Sequence, residues 1–184
     1  MIALPPRPEL DLTALVRTIP DFPKPGISFR DITTLISDAA GFSESVRRLC
    51  ERASVHRPDL IVAVEARGFL FGAAMATAMG LGLVPVRKAG KLPGVTIGVD
   101  YELEYGTDRL ELHEGAVAAG HRVVLVDDLL ATGGTILAAA QLMRSVGAEV
   151  AAAMFVIDLP DLGGSQRLQA AGLSCETLIA FDGD

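Results

Sequence analysis

The stretch Val123-Val124-Leu125-Val126-Asp127-Asp128-Leu129-Leu130-Ala131-Thr132-Gly133-Gly134-Thr135 decides the reading of this chain. Four apolar residues, three of them β-branched, predict a buried strand at 123–126. An alanine-rich amphipathic segment, Ile136 to Val146, predicts the helix that follows, with Gly147 as its C′ residue. Between them lie two adjacent carboxylates and a glycine-rich turn. A strand that ends in Asp127 and Asp128 carries both acids to the edge of a sheet. The turn from Ala131 to Thr135 exposes backbone N–H groups at a helix N-terminus, where an anion is favoured. Carboxylates suit hydroxyls or a metal, and a nest of amides suits a phosphate. Together they describe a site for a sugar phosphate. The loop has no Lys beside its Thr and no G-x-G-x-x-G spacing, so it is neither a P-loop nor a dinucleotide fingerprint.

The chain has 184 residues, enough for one domain with a full core, and half of them are hydrophobic. Its 23 acidic and 16 basic residues give a net charge of −7, which argues against a nucleic-acid partner. No apolar run approaches the roughly 20 residues of a membrane span. The opening MIALPPRPELD lacks the pattern of a signal peptide. The two cysteines, Cys50 and Cys175, have no metal spacing and read as buried free thiols. These features predict a cytoplasmic protein.

Working outward, Asp11 to Thr18 reads as a short helix with Asp11 as its N-cap. Residues 19–34 carry Pro20, Pro23, Pro25 and Gly26 and should be irregular. Helices are expected from Ser43 to about Ser54, from Phe69 to Met79, and from Gln166 to Ala171. Strands are expected at Leu60–Val64, Leu83–Val86, Val150–Ile157 and Leu178–Phe181. Residues 87–106 fit neither pattern, apart from an alternating segment at Val95–Tyr101 that suits part of a hairpin. Leu110 to Leu112 then returns to the sheet. An insertion of this length suits a functional lid or a disordered segment. Strands alternating with helices imply an α/β fold, a mainly parallel sheet covered on both faces. Ligands on such sheets sit at the carboxyl ends of the strands. The loops at 65–68, 87–106 and 127–134 should therefore converge.

Those loops hold unusual charges. Arg67, directly before Gly68 at a strand end, can offer a fork of donors to a second phosphate. Arg87, Lys88 and Lys91 add three cations. A diphosphate needs that charge, together with a divalent metal. Glu102, Glu104 and Tyr105 sit late in the long segment, where a carboxylate on a lid can act as general acid or base.

Val123 to Thr135 resembles the phosphoribosyl-pyrophosphate signature of the type I phosphoribosyltransferases. Six segments, IPDFPKPGISFRDIT, EARGFLFGAA, PVRKAGKLPG, LEYG, DDLLATGGT and VIDLPDLGG, occur in the order seen in adenine phosphoribosyltransferases, from Ile19 to Gly164. The resemblance implies a single phosphoribosyltransferase domain over 1–184, with an N-terminal hood at about 19–36 and a long flexible catalytic loop at about 87–106. It implies transfer of a phosphoribosyl group from phosphoribosyl pyrophosphate to adenine, giving AMP and pyrophosphate, with Mg2+ carried by the donor rather than bound by a protein metal site, and a homodimer. Phe29 would stack on adenine and Leu159 press on its other face, while backbone groups near Ser28 and Arg30 read its edge. Arg67, Arg87, Lys88 and Lys91 would hold pyrophosphate, some reaching across a dimer. Glu104 would be the acid/base residue, with Tyr105 beside it. Asp127 and Asp128 would hold the ribose, and Ala131, Thr132, Gly133, Gly134 and Thr135 the 5′-phosphate.

The chain departs from the family pattern at Ser28, at Thr34, at Ala89 and in LGGSQRL near 162–168, where the helix start is left open. Two alternatives also stay open: transfer to another base, and a regulator that senses the donor on the same fold. The 6-oxopurine enzymes typically place a Lys near the strand end at 156–160, and VIDLP has none.

Overall fold

Five parallel strands and two antiparallel ones form the central sheet of the computed structural model, which describes residues 10–102 and 106–183. In chain order the strands outside the hood are β3 (Leu60–Val64), β4 (Gly82–Lys88), β5 (Thr96–Glu102), β6 (Thr107–His113), β7 (Arg122–Leu130), β8 (Glu149–Asp158) and β9 (Cys175–Ala180). Their spatial order is β5-β6-β4-β3-β7-β8-β9. β4, β3, β7, β8 and β9 run parallel, and β5–β6 is an antiparallel hairpin on the β4 edge. The hood is a separate two-stranded ribbon, β1 (Arg17–Pro20) against β2 (Ser28–Asp31). The helices are α1 (Thr33–Ser37), α2 (Ala39–His56), α3 (Gly68–Met79), α4 (Gly134–Ser145) and α5 (Gly164–Ala170).

Both faces of the sheet are covered, and each cover has its own apolar cluster. Leu49 and Ala53 of α2, with Phe71 and Met75 of α3, pack on Ile61, Val124, Val126, Met154 and Val156. Ile136, Ala139, Leu142 and Met143 of α4, with Leu168 of α5, pack on Val62, Leu125, Ala153 and Phe155 opposite. Alternate residues of β7 serve alternate faces, so Val123 to Val126 are all fully buried. Each such side chain contributes about 1.5–3 kcal/mol relative to exposure. Cys50 and Cys175 are free and half-buried rather than fully enclosed, and burial pushes the Cys175 thiol up to about 11.

Several local expectations need correction. The short helix at 11–18 is only a 3-10 turn, Thr13–Leu15, with the Thr13 N–H donating to Asp11 Oδ1 at 2.9 Å. Extended pairing takes over from Arg17. Residues 19–34 are not wholly irregular, because β1 and β2 pair on either side of the proline turn and α1 follows. The prolines bound or interrupt the strands without breaking their register. The helix expected from Ser43 begins at Ala39, because Asp38 caps it by accepting from the Gly41 N–H at 2.7 Å. Ser45 lies inside that helix and donates back to the Gly41 carbonyl at 2.8 Å. The segment 87–106 is largely extended: β4 runs through Lys88, and β5 begins at Thr96 and pairs along β6. The hairpin expected from the alternating segment at Val95–Tyr101 is therefore present as β5 against β6. Residues 103–105 lie outside the described ones. β7 continues to Leu130 because β8 pairs with it that far, Leu129 opposite Ile157 and Leu130 opposite Asp158. Asp is a poor strand former, and pairing overrides that preference. The α5 start is settled at Gly164, and Ser165 Oγ donates to Asp158 Oδ2 at 2.6 Å.

α3 lies unusually close to the sheet. A Cβ on Gly72 would fall 2.5 Å from the Ala63 methyl of β3. Gly72→Leu should therefore force α3 outward and cost about 1–3 kcal/mol, more than the helix propensity it gains. In a domain of this size that is a drop of roughly 2–12 °C in the midpoint of calorimetric unfolding. An unchanged midpoint would show that the close approach has slack.

Candidate functional site

The parallel order places the ends of β3, β4 and β7 side by side, so the three charged loops meet above them. One cavity of about 270 Å³ is lined by Glu65, Ala66, Arg67, Lys88, Tyr101, Asp127, Asp128, Leu129 and Thr135, among others. The convergence expected from the sequence is therefore present. Next to it, the turn from Ala131 to Thr135 encloses about 100 Å³ with Asp127 and Phe155. Its backbone N–H groups lie at the first turn of α4, where the helix leaves them unpaired.

The acidic pair is held closely. Asp128 is 5% exposed, and its Oδ2 accepts from Arg67 Nε at 2.5 Å. Asp127 Oδ1 accepts from the Asp128 N–H at 2.9 Å. Gly68, the first residue of α3, has no room for a side chain, since a Cβ there would fall 2.9 Å from Asp127 Oδ1. Burial, and then the neighbouring charge of Asp128, push the Asp127 carboxyl well above the usual carboxylate range.

Arg87 and Lys88 are also paired. Glu65 accepts from Arg87 Nη2 at 3.0 Å, from Arg87 Nε at 3.2 Å and from the Lys88 N–H at 3.0 Å. Arg87 holds the Glu65 carboxyl below its ordinary range. Lys88 Nζ lies 2.9 Å from Asp108 Oδ2, and the Tyr101 hydroxyl donates to the same oxygen at 3.3 Å. Lys91 joins the group through its carbonyl, which accepts from Arg87 Nη1 at 2.9 Å, while its side chain stays exposed. Glu104 and Tyr105 lie outside the described residues.

A second cavity of about 350 Å³ opens between the hood and Arg67. Ile19, Phe22, Phe29, Asp31, Thr33 and Arg67 line it. Phe22 and Phe29 meet edge to face with centroids 5.2 Å apart. Asp31 accepts from the Thr33 hydroxyl at 2.6 Å, from the Thr33 N–H at 3.0 Å and from Arg17 Nη2 at 2.5 Å. These bonds, Thr33 first and Arg17 next, hold its carboxyl at about 2. Ser28 and Arg30 flank Phe29 on β2. Leu159 packs in the apolar cluster on the hood side of the sheet and is not among the residues lining this cavity. Sequence reasoning missed Phe22, Asp31, Tyr101, Asp108 and Leu129. Phe22 carried a usable signal, an aromatic between two prolines in the segment already assigned to the hood. The departure at Thr34 also has a role here, as its hydroxyl donates to the Leu15 carbonyl at 2.7 Å and accepts the Arg17 N–H at 3.1 Å.

Residues 34–172 match the family model described as a phosphoribosyl transferase domain. The chain is 86% identical over its full 184 residues, and over the whole length of the relative, to an adenine phosphoribosyltransferase of Sphingopyxis alaskensis. Among solved structures it is similar to the adenine phosphoribosyltransferase of Thermoanaerobacter pseudethanolicus, with a TM-score of 0.88, 51% identity, and 92% of this chain and 98% of the other covered. It is also similar to the Saccharomyces cerevisiae adenine phosphoribosyltransferase, whose structure holds adenine and an imino-altritol bisphosphate. That match has a TM-score of 0.83 at 37% identity, covering 91% of this chain and 96% of the other. With the acidic pair, the amide-lined turn and the aromatic hood cavity arranged around one strand edge, and with these similarities along its length, the chain belongs to the adenine phosphoribosyltransferase family.

Proposed function

We propose that this chain transfers the 5-phosphoribosyl group of phosphoribosyl pyrophosphate to adenine, forming AMP and releasing pyrophosphate. The observation that carries the reading is the shared wall at Arg67. It lines both the polar cavity above the acidic pair and the aromatic cavity under the hood. A charged donor and a flat base can therefore meet at one point, which is what displacement at an anomeric carbon requires.

In this reading the amides and hydroxyls of 131–135 hold the 5′-phosphate, and Asp127 and Asp128 hold the ribose 2′- and 3′-hydroxyls. Arg67, Arg87, Lys88 and Lys91 receive pyrophosphate. Phe29 stacks on adenine, Leu159 closes its other face, and backbone groups of Ser28 and Arg30 read its edge. The bond from the anomeric carbon to the pyrophosphate oxygen breaks, and a purine nitrogen forms the new one. Glu104 handles the purine proton, with Tyr105 beside it. The protein supplies no nucleophile; it positions both reactants and stabilises charge. Magnesium carried by the donor would, with Arg67, Arg87, Lys88 and Lys91, neutralise the leaving group. Closure of the 87–106 segment would exclude water and suppress hydrolysis.

The reading includes a homodimer, supported by the exposed Leu70 on α3 and Leu83 on β4. It also includes a cytoplasmic setting, supported by two free thiols. Among the described residues no helix is long and apolar enough to cross a membrane.

Adenine, hypoxanthine, guanine and orotate offered in parallel with the donor and magnesium should give AMP from adenine alone. Turnover of another base instead would overturn the base assignment. Donor binding without any turnover would favour a sensor. Replacement of Glu104 by Ala should lower kcat by about 10²–10³ with little change in donor KM. Asp127→Asn with Asp128→Asn should raise donor KM and lower kcat together. Kinetics unchanged in both variants would remove these assignments.

A further inference from the structure

The Arg30 side chain points away from the base cavity and into a separate set of contacts. Its Nη1 donates to Thr18 Oγ1 at 2.7 Å. Its Nη2 donates to the Asp182 carbonyl at 2.9 Å and reaches the Gly183 carbonyl at 3.4 Å. Its guanidinium carbon lies 4.7 Å from the centroid of the Phe181 ring. Residues 181–183 are tied on their other side as well. The Phe181 N–H donates to the Asp158 carbonyl at 3.1 Å, and the Gly183 N–H donates to Asp161 Oδ2 at 2.7 Å. Phe181 and Leu159 pack in the same apolar cluster. The segment after β9 therefore bridges two places: the residue next to Phe29 on the hood, and the turn that carries Leu159.

The hood needs such a link. β1 and β2 form a two-stranded ribbon that shares no backbone ladder with the seven-stranded sheet. A ribbon of that size is at best marginally stable without tertiary anchors. Asp31 with Arg17 ties one strand of the ribbon to the other, and Thr34 with Leu15 fastens its base to neighbouring chain. Arg30 attaches its middle to residues 181–183, which are tied to the turn that carries Leu159. A guanidinium donating to backbone carbonyls over an aromatic face is a directional contact, stronger than a neutral hydrogen bond.

We propose that Phe181, Asp182 and Gly183, acting through the Arg30 side chain, are positioning residues that hold the two walls of the base subsite at a fixed separation. The proposal rests on the reading above that this cavity takes the purine. The brace lowers the ordering cost of base binding, because the hood need not be fixed when adenine enters. It touches no reacting atom and lies apart from the acidic pair, so its effect falls on the base and not on the donor.

Two variants test it, deletion of residues 181–184 and Arg30→Ala, which leaves the backbone at 30 in place. Each should raise the adenine KM roughly tenfold, the about 1.4 kcal/mol expected of one charge-assisted contact. Both kcat and donor KM should stay within about twofold. Combining the two should add little beyond either, since they remove opposite halves of one link. Hydrogen exchange of residues 17–31 without substrates should quicken in both variants. That readout does not depend on turnover, so it separates failure of the brace from failure of the functional assignment. Unchanged adenine KM, an equal loss in donor KM, or unchanged exchange in the hood would each overturn the proposal.

Discussion

Parallel pairing of β4, β3, β7 and β8 is the constraint from which the site follows. Each strand must bury both faces under helices, so the connections cross over and all the carboxyl ends lie on one edge. Glu65 to Gly68, Arg87 with Lys88, and Asp127 to Gly134 are distant in sequence and adjacent in space for that reason alone. β8 extends the effect by pairing with β7 through Leu130, which carries Asp127 and Asp128 within an ordered strand. The two carboxylates are thus fixed by a sheet ladder, a stiffer support than a loop.

Electrostatics at that edge are unusually self-contained. Arg67 pairs with Asp128, Arg87 with Glu65, and Lys88 with Asp108. A diphosphate that binds these cations must compete with carboxylates already in place. For Arg87 and Lys88 the acid can stay and orient the cation. For Arg67 the proposed function implies exchange, because Asp128 is also the group proposed to meet the ribose. A donor that brings both a diphosphate and vicinal hydroxyls satisfies both partners of the broken pair at once. A molecule that draws Arg67 away with a diphosphate alone would leave the buried Asp128 carboxylate without its partner, which is costly. In the proposed function this pairing would favour the complete donor.

Much of this was legible in the sequence, for definable reasons. Leu60–Val64 was read to the residue, because a continuous apolar run between polar flanks has one solution in a parallel sheet. The turn at 131–135 was legible because glycines, threonines and paired acids have few structural uses together. The hood ribbon was not, since its prolines masked short strands whose pairing is visible only in three dimensions. Within 87–106 the alternation at Val95–Tyr101 marked the hairpin strand, while its partner β6 and the full length of the pairing are visible only in three dimensions. Asp108 and Asp31 carry no local signal of a role in the site. Nothing local marks a carboxylate whose importance comes from Lys88 or Arg17 arriving from elsewhere in the chain.

The central claim is that one edge of the sheet, built on Asp127, Asp128 and the 131–135 turn, receives the donor by opening the Arg67–Asp128 pair. The most direct measurement is a crystal structure with phosphoribosyl pyrophosphate and magnesium, without base. It should show the 5′-phosphate against the amides of 131–135 and the ribose hydroxyls on the two aspartates. Arg67 should have left Asp128 for the diphosphate. A donor bound with that pair intact, or with its 5′-phosphate seated away from the turn, would contradict the account.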